Sequence, residues 1–210
     1  MRRISVKICV AAALCALCLI LASCSKGNKF EMSDDGMYID KKTNISYIDA
    51  PACYEPIAMG EEIYGELGAA EFYEIQGADP TRWICEKTGS VFYARDVGLP
   101  TLDKMELSYM DMYSADSKFT TVDDAEVIAA IVDAYANGES VTRPVVLSEA
   151  DYDVNWRIKL ADETLGLYYT VAYFEIDGVS YLFNRFENRC VLAGEVLADY
   201  VDAYVGDAES

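Results

Sequence analysis

The chain of 210 residues contains no histidine. That absence removes a Ser-His-Asp triad, a Cys-His pair and any His-ligated zinc site. Catalysis, if there were any, would rest on carboxylates, a Ser-Lys pair, tyrosine or an isolated cysteine. Basic residues are scarce: 17 Lys and Arg stand against 36 Asp and Glu, a net charge of −19. So acidic a surface repels phosphate backbones and excludes nucleic acid as a partner. It also keeps the chain soluble and favours cationic partners or ions. What is plentiful is apolar side chain, 52% of all residues, enough for a packed core and not the composition of a disordered chain.

The N-terminus has a pattern of its own. Arg2, Arg3 and Lys7 form a positive start, and Ile8 to Ala22 carries no charge. That run is shorter than the ~20 residues of a membrane span and suits the apolar core of a secretory signal. It ends in Leu21-Ala22-Ser23-Cys24. This stretch resembles the lipobox of bacterial lipoproteins, and the resemblance covers residues 1–24 only. It implies that Leu21, Ala22 and Ser23 are read by signal peptidase II. It also implies that the Cys24 thiol receives a diacylglyceryl group and becomes the mature N-terminus, with the membrane as its first partner. The protein would then sit on the outer face of the cytoplasmic membrane, or in the outer membrane if the cell has two. Cys9, Cys15 and Cys18 leave with the signal. Cys53, Cys85 and Cys190 remain; their spacing selects no disulfide, and burial as small apolar residues is the expectation.

Three regions follow from this reading: signal peptide 1–23, lipidated cysteine and polar tether 24–36, and one acidic globular domain 37–210 with a sub-boundary near 119. Residues 37–118 read mainly as strands. Candidate hairpins turn at Lys41-Lys42-Thr43-Asn44 and at Lys87-Thr88-Gly89-Ser90. A helix is expected from near Val122, capped by Thr121 with Asp124, buried along Val127, Ile128, Ile131, Val132 and Tyr135, and stopped at Asn137-Gly138. Leu167 to Phe186 reads as a hairpin turning at Asp177-Gly178, with Phe174 opposite Tyr181, Ala172 opposite Phe183 and Tyr169 opposite Phe186. Both of its faces are apolar, so both should be at least partly covered. Trp156 to Leu160 adds a third strand, and a last helix is expected from about Gly194 to Val205. The expected fold class is α+β: an antiparallel strand-rich N-terminal part, then helix-strand-strand-strand-helix.

Chemistry is harder to find. Asp151, Asp153 and Asn155 open like a calcium loop, but Trp156 stands where glycine is needed, so no metal site is assigned. Gly65-Glu66-Leu67-Gly68 lacks the third glycine of a phosphate loop. No catalytic residue and no cofactor is indicated. Exposed Tyr and Trp can bind glycans or anchor a protein interface, which makes Trp83, Trp156, Tyr54, Tyr64, Tyr73 and Tyr109 the candidate binding aromatics. The reading that results is a lipid-anchored, non-enzymatic accessory or binding protein with a protein or glycan partner in the envelope. The alternatives are a glycan- or peptide-binding surface module or a carboxylate-dependent hydrolase.

Overall fold

Asp177 and Gly178 both adopt positive φ, 52° and 71°, as a type I′ turn requires. They join two strands in the expected register, Ile176 opposite Val179, Phe174 opposite Tyr181 and Ala172 opposite Phe183. This hairpin belongs to one of two seven-stranded sheets in the computed structural model, which describes residues 27–145, 148 and 152–208. The signal, the lipobox with Cys24, and Asp151 fall outside the described residues.

The strands are β1 (Asn28–Met32), β2 (Tyr38–Asp40), β3 (Ser46–Asp49), β4 (Tyr54–Pro56), β5 (Met59–Leu67), β6 (Ala70–Ile75), β7 (Trp83–Glu86) and β8 (Val91–Ala94). A 3-10 turn (Leu102–Lys104), β9 (Tyr109–Ser114), β10 (Ser117–Val122) and helix α1 (Ala125–Asn137) follow. The chain ends in β11 (Val154–Asp162), β12 (Leu167–Ile176), β13 (Val179–Asn184), β14 (Arg189–Leu192) and helix α2 (Ala198–Ala208).

Two sheets result. A barrel closes in the order β1-β2-β3-β8-β7-β6-β5, sealed by parallel pairing of β1 with β5. A second sheet runs β10-β9-β11-β12-β13-β14, and β4 joins it on β12. The architecture is mostly β, with 47% strand against 13% helix, which corrects the expected α+β class. Both expected helices exist, but they flank sheets that hold nearly all the core. Strands of three or four residues, such as β4 and β14, are too short to show a period-2 pattern, so their share was invisible in the sequence. The C-terminal part contains four strands between its helices, not three.

Side-chain alternation explains how the sheets stack. Along β6, β7 and β8, Phe72, Ile84 and Phe92 point into the barrel and pack with Phe30 and Tyr47. Their neighbours Tyr73, Ile75, Trp83, Cys85 and Val91 point outward into a larger core shared with the second sheet. One wall of the barrel is thus buried on both faces, which requires apolar residues at successive positions. From the other side come Met110 and Met112 of β9, Trp156, Ile158 and Leu160 of β11, and Leu167, Tyr169, Val171 and Tyr173 of β12. Helix α1 adds Ile128, Ile131 and Tyr135.

Several local expectations are corrected. Asn28–Met32 is not tether but β1, with Phe30 buried in the barrel. Helix α1 starts three residues later than expected because Ser117–Val122 pairs with β9. Its cap is Asp124, which accepts from Glu126 N at 2.8 Å. Thr121 instead donates to Asp111 Oδ1 at 2.6 Å. Tyr169 does not face Phe186, since β13 ends at Asn184 and Tyr169 pairs with Tyr54 of β4. Cys53, Cys85 and Cys190 are buried and unbridged.

Gly65, read above as part of an incomplete glycine loop, is a packing position. A Cβ there would lie 1.9 Å from Cε2 of Phe30. Gly65→Ala is expected to push the Phe30 ring out of the barrel at a cost of about 1–3 kcal/mol. Urea unfolding measures this, and a shift below ~0.5 kcal/mol would contradict the packing account.

Candidate functional site

One face of the second sheet turns away from the shared core. It carries the odd positions of β9, β11 and β13 and the even positions of β12: Tyr109, Asp111 and Tyr113; Asn155, Arg157 and Lys159; Tyr181 and Phe183; Tyr168, Thr170, Ala172 and Phe174. Opposite Ala172 lie Arg157 on one side and Phe183 on the other. A small residue framed by two large ones makes a depression in the sheet surface.

Strand topology deepens it. β4 and β13 lie along the same edge of β12, β4 against Leu167–Tyr169 and β13 against Ala172–Ile176. Between them Thr170 N donates to Cys53 O at 2.7 Å, and the Thr170 hydroxyl donates to Glu55 Oε1 of β4 at 3.0 Å. The result is a cleft of about 470 Å³, within the range of small-molecule sites. Thr170 and Ala172 form its floor, Ala52 and Cys53 one wall, and Asn184, Arg185 and Phe186 the rim.

The rim is held by a hydrogen-bonded turn. Asn184 Oδ1 accepts from Phe186 N at 2.9 Å and Glu187 N at 3.3 Å. Asn184 Nδ2 donates to Tyr169 Oη at 2.9 Å, and Tyr169 and Tyr135 each donate to the Glu187 carboxylate at 2.6 Å. Burial, then the hydrogen bond to Glu187, raises the pKa of both phenols far above the ordinary range, so they stay protonated donors. Arg185 and Phe186 are therefore presented from a fixed turn.

The charge on the cleft is opposite to that of the chain. Arg143, Arg157 and Arg185 line it, and among the described residues no carboxylate does. Each guanidinium lies over an aromatic ring: Arg143 over Phe183 at 4.5 Å, Arg157 over Tyr113 at 5.1 Å and Arg185 over Phe186 at 5.2 Å. A guanidinium held by its face keeps in-plane N–H donors for another partner. Arg143 spends one of its donors on Tyr152 Oη at 3.3 Å. Arg157 Nε is buried without a hydrogen-bond partner among the described residues. The arginine's one carboxylate neighbour among the described residues, Asp116, is 3.8 Å away and fully exposed, a pair that solvent screens. Lys159 differs: its ammonium is paired with Glu55, and it takes no part in the lining.

Cys53 is the only thiol in the lining, and burial pushes its pKa up, partly opposed by a hydrogen bond with Asn184. It is held as a thiol and not as a nucleophilic thiolate.

Beside the cleft, Asp111 accepts from Thr121 at 2.6 Å, Tyr168 at 2.8 Å and Lys118 at 3.2 Å. Burial works to raise its pKa, but these hydrogen bonds, Thr121's first, outweigh it and leave the carboxyl below its ordinary value. A depressed folded-state pKa contributes stability above the unfolded value and loses it as pH falls through the folded one. Acid titration of unfolding should therefore show a loss that begins near pH 4 and continues below it, and Asp111→Asn should flatten that limb. An unchanged limb would contradict the assignment.

Of the candidate aromatics only Trp156 is among the residues that line the cleft. Trp83, Trp156, Tyr54 and Tyr73 are core residues, with Trp83 and Trp156 only 1% and 2% exposed. They sit at inward positions of their strands and present no ring to solvent. Tyr64 packs against the barrel interior near Phe30. Tyr109 alone is on the outer sheet face, its hydroxyl 3.2 Å from that of Tyr168. The calcium-loop reading ends at Val154, where β11 begins and Asn155 and Trp156 become strand residues. Among the described residues no group of His, Cys, Asp and Glu is arranged to hold a metal ion.

Sequence reasoning missed Arg143, Arg157, Arg185, Phe183 and Phe186. A signal was present: Asn155, Arg157 and Lys159 alternate with Trp156, Ile158 and Leu160, which marks a cationic outward strand face in an acidic chain. Comparison with family models, with characterised proteins and with solved structures returned no match.

Proposed function

We propose that this chain is a lipid-anchored binding protein of the cell envelope and that the arginine-rimmed cleft on its outer sheet face is the binding site. The observation that carries the reading is the cleft's preformed lining. Three guanidiniums line the cleft, and guanidinium is a donor that binds and orients a ligand without shuttling protons. The lipobox-like residues Leu21 to Cys24 support an extracytoplasmic placement, with acylation of Cys24 supplying the anchor.

A photoreactive amino acid at Phe186, in the full-length chain in its own cells, tests the reading. The rim position is expected to form an adduct of defined mass with a ligand or partner, and a cleft-filling Ala172→Trp is expected to abolish it. No adduct, or one indifferent to Ala172→Trp, would overturn the assignment of this cleft.

A further inference from the structure

The cleft's chemistry goes further than a binding site in general. We propose that its ligand is a compact organic polyanion, a molecule carrying two or more carboxylate or phosphoryl groups. The inference rests on the reading of the cleft as the binding site and names the class of ligand.

Three observations converge. First, three arginines share one cleft of about 470 Å³, and among the described residues no carboxylate lines it, the nearby Glu55 being paired with Lys159. Like charges gathered in one concavity repel one another, and a single negative charge leaves part of that repulsion in place. Two or more anionic groups remove it, and each can take a planar pair of N–H donors from a guanidinium fork. Second, the aromatic rings at the cleft are already covered by guanidiniums: Phe183 by Arg143, Tyr113 by Arg157 and Phe186 by Arg185. The rings serve as platforms for the cations. A neutral sugar that needs an open ring face to stack on would have to displace them. Third, Arg157 keeps a buried Nε–H that no described residue satisfies. Such a donor has a cost that an acceptor in the cleft removes.

The rest of the molecule sharpens the choice. With a net charge of −19 the chain repels anions over most of its surface. A long acidic polymer would meet that repulsion along its whole length. A compact polyanion meets it only during approach and is then held inside the cationic cleft. The apolar part of the lining, Ala52, Ala115 and Ala172 with the edge of Phe186, suits a short carbon skeleton between the charged groups.

Isothermal titration of the full-length chain in neutral detergent, with citrate and with pyrophosphate as separate probes, distinguishes carboxylate from phosphoryl recognition. Trimethyl citrate, the same skeleton without charge, is the control. At least one of the two anions is expected to bind one to one, and the ester is expected not to bind. Raising ionic strength from about 0.01 to 0.15 M, which shortens the screening length from about 30 to 8 Å, should weaken binding. Arg157→Gln and Arg185→Gln should each weaken it about tenfold or more, the loss of one charge-assisted contact. Lys87→Gln, in the β7–β8 turn outside the cleft, should leave it unchanged. Arg185 is exposed, so its variant remains informative if Arg157→Gln fails to fold.

Binding of neither anion, equal binding of the ester, or equal losses for Lys87→Gln and the arginine variants would each overturn the polyanion proposal. The two proposals fail separately. A photo-adduct at Phe186 that Ala172→Trp removes, from a chain that binds neither anion, leaves the cleft as the site and removes only the ligand class. Absence of both results removes the site itself.

Discussion

Replacing Trp156 with alanine should lower the unfolding free energy by about 3–5 kcal/mol, the range for deleting a buried Trp or Phe side chain. Trp156 lies in β11, between β9 and β12, and is 2% exposed. Its ring stacks on Tyr173 with centroids 5.4 Å apart and packs on Phe119 at 5.0 Å. Neighbouring strands fix those partners, so the space cannot collapse, and the lost contacts are not replaced. Trp156→Phe keeps a ring and should cost clearly less. Both follow from urea unfolding. A Trp156→Ala loss below ~1 kcal/mol would mean that the side chain is at the surface, as a binding role for this residue requires. Trp156 also backs the cleft, so the alanine variant should weaken ligand binding more than its distance from the arginines suggests.

Cys24→Ala has an effect of a different kind, close to all-or-none. Acyl chains contribute about 0.8 kcal/mol for each buried CH₂, and one chain anchors only marginally while two or more hold a protein at the bilayer. On the proposed lipidation, the variant has no thiol to alkylate and gives signal peptidase II no lipid-modified substrate. The variant is expected to lose radiolabelled fatty acid, to accumulate at precursor size and to leave the lipid-attached fraction. Among the described residues no helix is long and apolar enough to cross a membrane. Unchanged mature size and unchanged partitioning would contradict lipidation at residue 24.

What could be read in advance followed local physics. The Asp177-Gly178 turn and the register of the pairs from Ala172–Phe183 to Ile176–Val179 were legible, because two positions needing positive φ fix both turn type and register. The apolar stripe of α1 was legible too, through Ile128, Ile131 and Tyr135. Its start was not, since Thr121 and Asp124 compete for the same role and the choice falls to Asp111, ten residues from Thr121 in sequence and across the β9–β10 pair. The closed barrel was illegible because β1 seals it by pairing with β5 more than thirty residues away. The cleft was illegible for a related reason. It exists where β4 and β13, which are far apart in sequence, abut on one edge of β12. Aromatic content pointed to Trp and Tyr as binders, whereas burial took those rings for the core and left arginine on the outer face.

Native mass spectrometry of the full-length chain, extracted in neutral detergent from the membranes of its own cells, tests the account most directly. The account predicts a polypeptide that starts at a diacylglyceryl-modified Cys24 and retains a small anion, and an Arg157→Gln chain that carries the same lipid with the anion lost. A chain with residue 24 unmodified, or a wild-type chain with an empty cleft, would contradict it.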